Sequence, residues 1–259
     1  MNIIKYFSIF CAFLFLTEIY AQEIGLHHVV KIDGRIVNQQ SGTELQINGQ
    51  VNMHTMLLFG TVADNAILRS PSQRRYRLAT TGELLVSSDR SLREMKSRPM
   101  TDTDIRLTGE MPPETLKKYF GTDTFAIVGN KLNIEVGPEN EQKYDLLFRF
   151  KENNKTKEVV SKDFTIKQND FGKNVINDCI ILLREGNKIT EITQVSLWFI
   201  DEQSLHQEFT AWLTGMEEQT DTNYKKREEL QQYCRDVYGV MDHDNMHYAI
   251  GRFLENGTR

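Results

Sequence analysis

Cysteine, proline and long apolar runs are all scarce in this chain, and each scarcity excludes a class of protein. Three cysteines in 259 residues do not make the disulfide framework of a small secreted scaffold. Five prolines and sixteen glycines exclude a collagen-like chain, and 39% hydrophobic with 26% charged residues is the composition of a folded protein. Nothing beyond Leu16 approaches the roughly 18 consecutive apolar residues of a membrane-spanning helix. Basic excess is also missing: a net charge of −5 lacks the positive field that nucleic-acid binding needs, so no nucleic-acid partner is expected. Neither a GxSxG elbow, a P-loop, a dinucleotide-binding glycine pattern nor an HExxH zinc motif occurs.

What is present begins with a leader. Lys5 precedes an apolar run from Tyr6 to Leu16, and the polar stretch after it ends at the small residue Ala21. Residues 1–21 read as a secretory signal peptide, since the run is too short to span a bilayer. An uncleaved anchor is the alternative, because Ile19 is bulky for its place before the cut. Cys11 lies inside the apolar run after Phe10, which does not fit a lipoprotein signal. Cleavage after Ala21 leaves 238 of the 259 residues, and the charge is unchanged.

The mature chain opens on hairpin signals. Val29–Ile32 and Arg35–Val37 flank Asp33-Gly34, and Leu45–Ile47 and Gln50–Met53 flank Asn48-Gly49, both dipeptides suited to a type I′ turn. Short apolar segments follow at Met56–Phe59, Ala66–Leu68 and Tyr76–Leu78. Residues 88–121 are polar and proline-bearing, with helical signals at Leu92–Lys96 behind a Ser88-Asp89 cap and again from Pro113 to Gly121. Strands return at Phe125–Val128 and Leu132–Val136 around Gly129-Asn130, then at Tyr144–Phe150, where apolar residues alternate. Val175–Leu183 fits a helix face or a strand, and Gly186-Asn187 with Val195–Ile200 favours a hairpin. Beyond Ile200 the spacing is helical, with stripes at Leu205, Phe209 and Trp212, then at Leu230, Cys234 and Val237, and a third helix from Asp242 to Glu255. The expected fold is α+β, a β-rich body of consecutive antiparallel hairpins over 22–200, sandwich- or barrel-like, followed by a helical region over 201–259.

Residues with chemistry are few. His243 and His247 lie four apart beside Asp242 and Asp244, the spacing of two metal ligands on one helix face; the alternative is a capped helix with imidazoles at its packed edge. His27-His28 is a weaker pair of the same kind. Cys179 and Cys234 form either a disulfide or two buried thiols, and Cys234 lies on an apolar stripe, where a cysteine acts as a small hydrophobe. Paired carboxylates for polymer hydrolysis come together only in a fold, and none is singled out by position. No cofactor is implied.

Charge is segregated. Residues 69–98 hold eight basic and three acidic side chains, whereas 201–259 hold six and twelve. Arg69, Arg74, Arg75 and Arg77 are therefore the candidate surface for an acidic protein or polymer, unless the two regions neutralise one another. Sequons at Asn154 and Asn256 matter only in a eukaryotic source. A cleavage site followed by Gln22 and short polar hairpins resembles envelope proteins of Bacteroidota-type bacteria, a likeness of style over a short stretch with no motif attached. The expectation is an exported, non-enzymatic binding or assembly protein of the cell envelope, periplasmic or secreted; a hydrolase of an envelope or extracellular polymer is the alternative.

Overall fold

The computed structural model describes residues 26–52, 55–70, 74–80, 90–94, 107, 113–172, 176–214 and 223–256. Residues 1–21, expected to be a signal peptide, and most of 88–112 lie outside them. The chain is α+β, with 14 strands in antiparallel and mixed sheets ahead of residue 201 and helices mostly toward the C-terminus; no barrel closes among the described residues. Its α-helices are α1 (Pro113–Phe120), α2 (Pro138–Lys143), α3 (Glu202–Leu213), α4 (Asn223–Tyr238) and α5 (His243–Asn256). Two compact units form, one from Met1–Lys96 with Gln207–Met216, the other from Ser97–His206 with Glu217–Arg259. Helix α3 thus changes unit along its length, a division that follows packing and not the change from strand to helix near residue 200.

The first unit holds β1 (Leu26–Asp33), β2 (Ile36–Asn38), β3 (Gln50–Asn52), β4 (Leu57–Phe59), β5 (Asn65–Arg69), β6 (Arg75–Thr80) and β7 (Arg90–Glu94). Five of these make an antiparallel sheet in the order β3-β1-β5-β6-β7, and β2 pairs with β4 alone. Asp33-Gly34 is therefore not a hairpin, because β1 and β2 pair with different strands. It is a corner pinned by Asp64, whose carboxylate accepts the amides of Thr61 (2.9 Å) and Arg35 (3.1 Å) and the Thr61 hydroxyl (2.6 Å). Gly34 has φ +91°, and a Cβ there would lie 2.1 Å from Asp64 Oδ1, so only glycine fits. Asn48-Gly49 does turn, with Asn48 at φ 67° and the Gly49 amide donating to Gln46, but Leu45–Ile47 is no strand and β3 pairs with β1. Where a helix is expected from Leu92, residues Arg90–Glu94 are instead strand β7, with Leu92 opposite Leu78 in the sheet; Ser88-Asp89 and Lys96 lie outside the described residues.

Ala66 and Leu68 of β5 join Val29, Val51, Leu57, Phe59 and Leu78 in one core, which leaves Ile67 and Arg69 on the opposite face. The second half of α3 covers that face. Lys31, 7% exposed, donates to Glu208 at 3.1 Å, and Arg69, 1% exposed, donates to the Trp212 carbonyl. That carbonyl belongs to the last turn of α3, where a helix lacks internal donors and favours a cation.

The second unit holds β8 (Thr124–Val128), β9 (Lys131–Asn133), β10 (Tyr144–Glu152), β11 (Lys155–Ser161), β12 (Thr165–Lys167), β13 (Ile176–Glu185), β14 (Lys188–Ile200) and β15 (Val240–Met241). Its sheet runs β11-β10-β13-β14-β8-β15, antiparallel up to β14 and parallel from β14 through β8 to β15. Asn153 and Asn154, both left-handed at φ 50° and 61°, make the β10–β11 turn. From Ile176 on, the ambiguous run is strand β13; Cys179, Ile181 and Leu183 face the core while Asp178 is exposed and Ile180 half-buried on the other face, and the apolar Ile180 and Leu182 on that second face blur the alternation in sequence. Phe125, Phe148, Cys179, Leu197 and Phe199 form a core with Leu116 and Phe120 of α1. Trp198, pointing the other way, meets Tyr238 of α4 with ring centroids 5.0 Å apart.

That arrangement decides the cysteines. Cys179 belongs to the core on the α1 side, whereas Cys234 precedes Tyr238 by one turn of α4 on the opposite side of the same sheet. Both are buried, and no disulfide joins them.

Candidate functional site

Strands β14, β8 and β15 are parallel, so their carboxyl ends lie along one edge of the second unit's sheet. Each is followed by polar residues: Asp201-Glu202 after β14, Gly129-Asn130 after β8, and Asp242 after β15. Helices α3 and α5 start there, each capped by the aspartate before it. Asp201 Oδ2 accepts the amide and hydroxyl of Ser204, both at 2.8 Å, and Asp242 Oδ1 accepts the Asn245 amide at 2.8 Å. Hydrogen bonds from the Ser204 amide and hydroxyl hold the Asp201 carboxyl below the usual carboxylate range. Asp242 Oδ2 accepts the Tyr119 hydroxyl at 2.7 Å, and burial together with that carboxylate pushes the Tyr119 phenol well above its ordinary value.

One side chain replaces a missing piece of ladder. β15 pairs with β8 only at Phe125 and Ala126, short of Val128. The Asn245 amide reaches across from α5, accepting the Val128 N–H at 2.8 Å and donating to the Val128 carbonyl at 3.1 Å. A primary amide offers the same donor and acceptor as a peptide unit, so it completes the edge.

Outside this edge the surface is hollow. One cleft of about 280 Å³ has Val128, Leu132 and Ala249 as its apolar floor and Glu202, Asp242, Asp244 and Tyr248 on its walls. A second, of about 550 Å³, runs past Asn130, Gln168, Phe199 and Asp201 and shares Glu202 with the first. A crevice at the carboxyl ends of parallel strands is where open α/β sheets bind ligands. Comparison of the chain with protein-family models, with curated proteins and with solved structures finds no match. The geometry alone carries the reading of this site.

The residues singled out from sequence are scattered. Arg69 is buried against α3, and Arg75 is half-buried with its guanidinium 5.8 Å from the Trp212 ring centre, so these two serve the first unit's packing. Only Arg74 and Arg77 of that set are exposed. His243 and His247 do come together, their rings 4.0 Å apart between centroids. His243 Nδ1 lies 3.2 Å from Asp244 Oδ1, and His247 Nε2 lies 2.8 Å from the Gln231 side-chain amide. Among the described residues no group of three or more His, Cys, Asp and Glu side chains assembles as metal ligands. His27 is buried edge-on to Tyr76 at 5.5 Å. Asn245, Tyr248 and Glu202 carry no sequence signal of their own; their importance comes from the parallel strand order, which no local pattern encodes.

Proposed function

We propose that this chain is an exported, non-enzymatic binding or assembly protein of the bacterial cell envelope, and that its partner is held in the cleft outside β14, β8 and β15. The observation that carries this reading is the engagement of the cleft's polar groups. Asp201 and Asp242 cap helices and Asn245 is bound at both ends to Val128. The Asp201 carboxylate, held below the usual range by the Ser204 amide and hydroxyl, supplies fixed negative charge and is a poor proton donor, which suits retention of a ligand more than acid–base turnover. No described helix is long and apolar enough to cross a membrane. Because the cleft is acidic and Arg69 is buried, the partner's contacting surface is basic or neutral, the reverse of the acidic partner suggested by charge segregation.

A photo-crosslinking amino acid at Tyr248, 64% exposed beside the cleft, tests this against the same group at Tyr224, 68% exposed on α4. A discrete adduct in intact envelopes from position 248 and not from 224 is the expected result. Identical adducts, or none, reject the cleft. Release of soluble fragments from purified envelope polymer would replace binding by hydrolysis. An N-terminus at Gln22 is expected for the envelope-derived protein, and one at Met1 removes export.

A further inference from the structure

We propose that the cleft beside Tyr248 accepts an arginine or lysine side chain from an extended polypeptide, and that Arg252 is an internal competitor for the same position. This rests on the reading of the cleft as a binding site. Its lining charges are Glu202, Asp242 and Asp244 against Lys131, and the adjoining cleft adds Asp201. The sign of the site therefore matches a cation.

The chain's own side chains show which chemistry the wall holds. Arg252 Nη1 lies 3.1 Å from Glu202 Oε1, and its guanidinium carbon is 5.8 Å from the Tyr248 ring centre. A guanidinium is thus already kept between a carboxylate and an aromatic face, the pairing that recognises cationic side chains. Asp244, Tyr248 and Arg252 follow one another at four-residue steps along α5 and so share one face of it. The Glu202–Arg252 pair is half-exposed, with side chains 33% and 46% accessible, and pairs of that kind contribute little and exchange readily. An incoming guanidinium would replace like with like.

The rest of the groove fits the rest of such a ligand. Val128, Leu132 and Ala249 in the floor are 7%, 4% and 2% exposed, an apolar bed for the methylene stem of a basic residue. Past Glu202 the larger cleft is lined by Asn130 and Gln168, whose side-chain amides suit an extended peptide main chain.

The probes are two fluorescent peptides, Gly-Ser-Arg-Ser-Gly and the same sequence with citrulline, which keeps the shape of arginine and removes its charge. Their binding to the full chain is read by anisotropy up to millimolar protein at low and high salt. The arginine peptide is expected to bind about tenfold more tightly than the citrulline one, and to weaken with salt. Glu202→Gln and Asp244→Asn should each weaken it by about tenfold, whereas Arg252→Gln should tighten it about threefold or more by removing the competitor. Thermal melts of the variants confirm that each is folded. Equal binding of both peptides, an Arg252→Gln variant of unchanged or weaker affinity, or preference for a neutral oligosaccharide such as chitotetraose overturns the proposal. A specific adduct at Tyr248 without arginine-peptide binding defeats this inference alone; loss of both defeats the cleft as well.

Discussion

Asn245 grips the backbone of Val128 with both ends of its side-chain amide, accepting the N–H at 2.8 Å and donating to the carbonyl at 3.1 Å. This contact joins α5 to the end of β8 and shapes the cleft wall between them. Replacing Asn245 with Ala leaves two backbone groups without protein partners, with an expected cost of about 1–3 kcal/mol. Urea unfolding measures it. A shift below a few tenths of a kcal/mol would mean that water serves Val128 equally well.

Lys31 and Glu208 form a buried pair across 177 positions of sequence. Lys31→Met alone leaves a carboxylate without its ammonium in a water-poor site and should cost about 3–5 kcal/mol, whereas Lys31→Met with Glu208→Leu should recover most of that loss. A double-mutant cycle by chemical denaturation checks both. Additive losses would show that each residue acts through separate neighbours.

The arginines of the basic segment should divide by burial. Arg69→Ala removes a buried guanidinium from the Trp212 carbonyl and should lower stability by about 2–4 kcal/mol, while Arg74→Glu and Arg77→Glu on the surface should change it by less than about 0.5 kcal/mol. Thermal melts rank the three.

Asp64 predicts the sign of an acid response. Burial opposes its charge, but the Thr61 hydroxyl and the Thr61, Arg35 and Gly60 amides outweigh it and hold the carboxyl below its ordinary value of 3.8. A depressed folded-state value makes the stabilisation complete above 3.8 and lost as pH falls through the lowered value. Asp64→Asn should therefore unfold with a shallower pH dependence than wild type between about pH 5 and 2. Parallel slopes would assign the acid response to other groups, Asp201 first.

Both cysteines should remain unmodified in the native protein. Burial, with the Asp178 charge, pushes the Cys179 thiol up to about 12, so little thiolate exists at neutral pH. Denatured, unreduced protein should take up one alkyl group at Cys179 and one at Cys234, read by peptide mass. Absence of label at both would restore the disulfide.

The parts legible in sequence were those settled locally. Alternation along Tyr144–Phe150 and a capped helix beginning at Asp242 each depend on residues a few positions apart, and the structure contains both. Asp33-Gly34 misled because a turn dipeptide reports the backbone bend and says nothing of whether the flanking strands pair. The cleft was illegible for a related reason. Its lining comes from a strand end at Val128 and a helix start at Asn245, 117 positions apart and brought together by the parallel strand order. Arg69 was read as surface because a charged residue in a basic run usually is; only the approach of α3 explains its burial.

The split of α3 between units also sets an order of events. A chain that emerges N-terminus first presents β1 and β5 long before Gln207–Met216, so Lys31 and Arg69 wait for partners 177 and 143 positions downstream. Closing loops of that length is slow, and until it happens one face of the first sheet stays open. The first unit therefore reaches its finished state only when almost the whole polypeptide has been delivered, and a fragment ending near Lys96 lacks the piece that closes it.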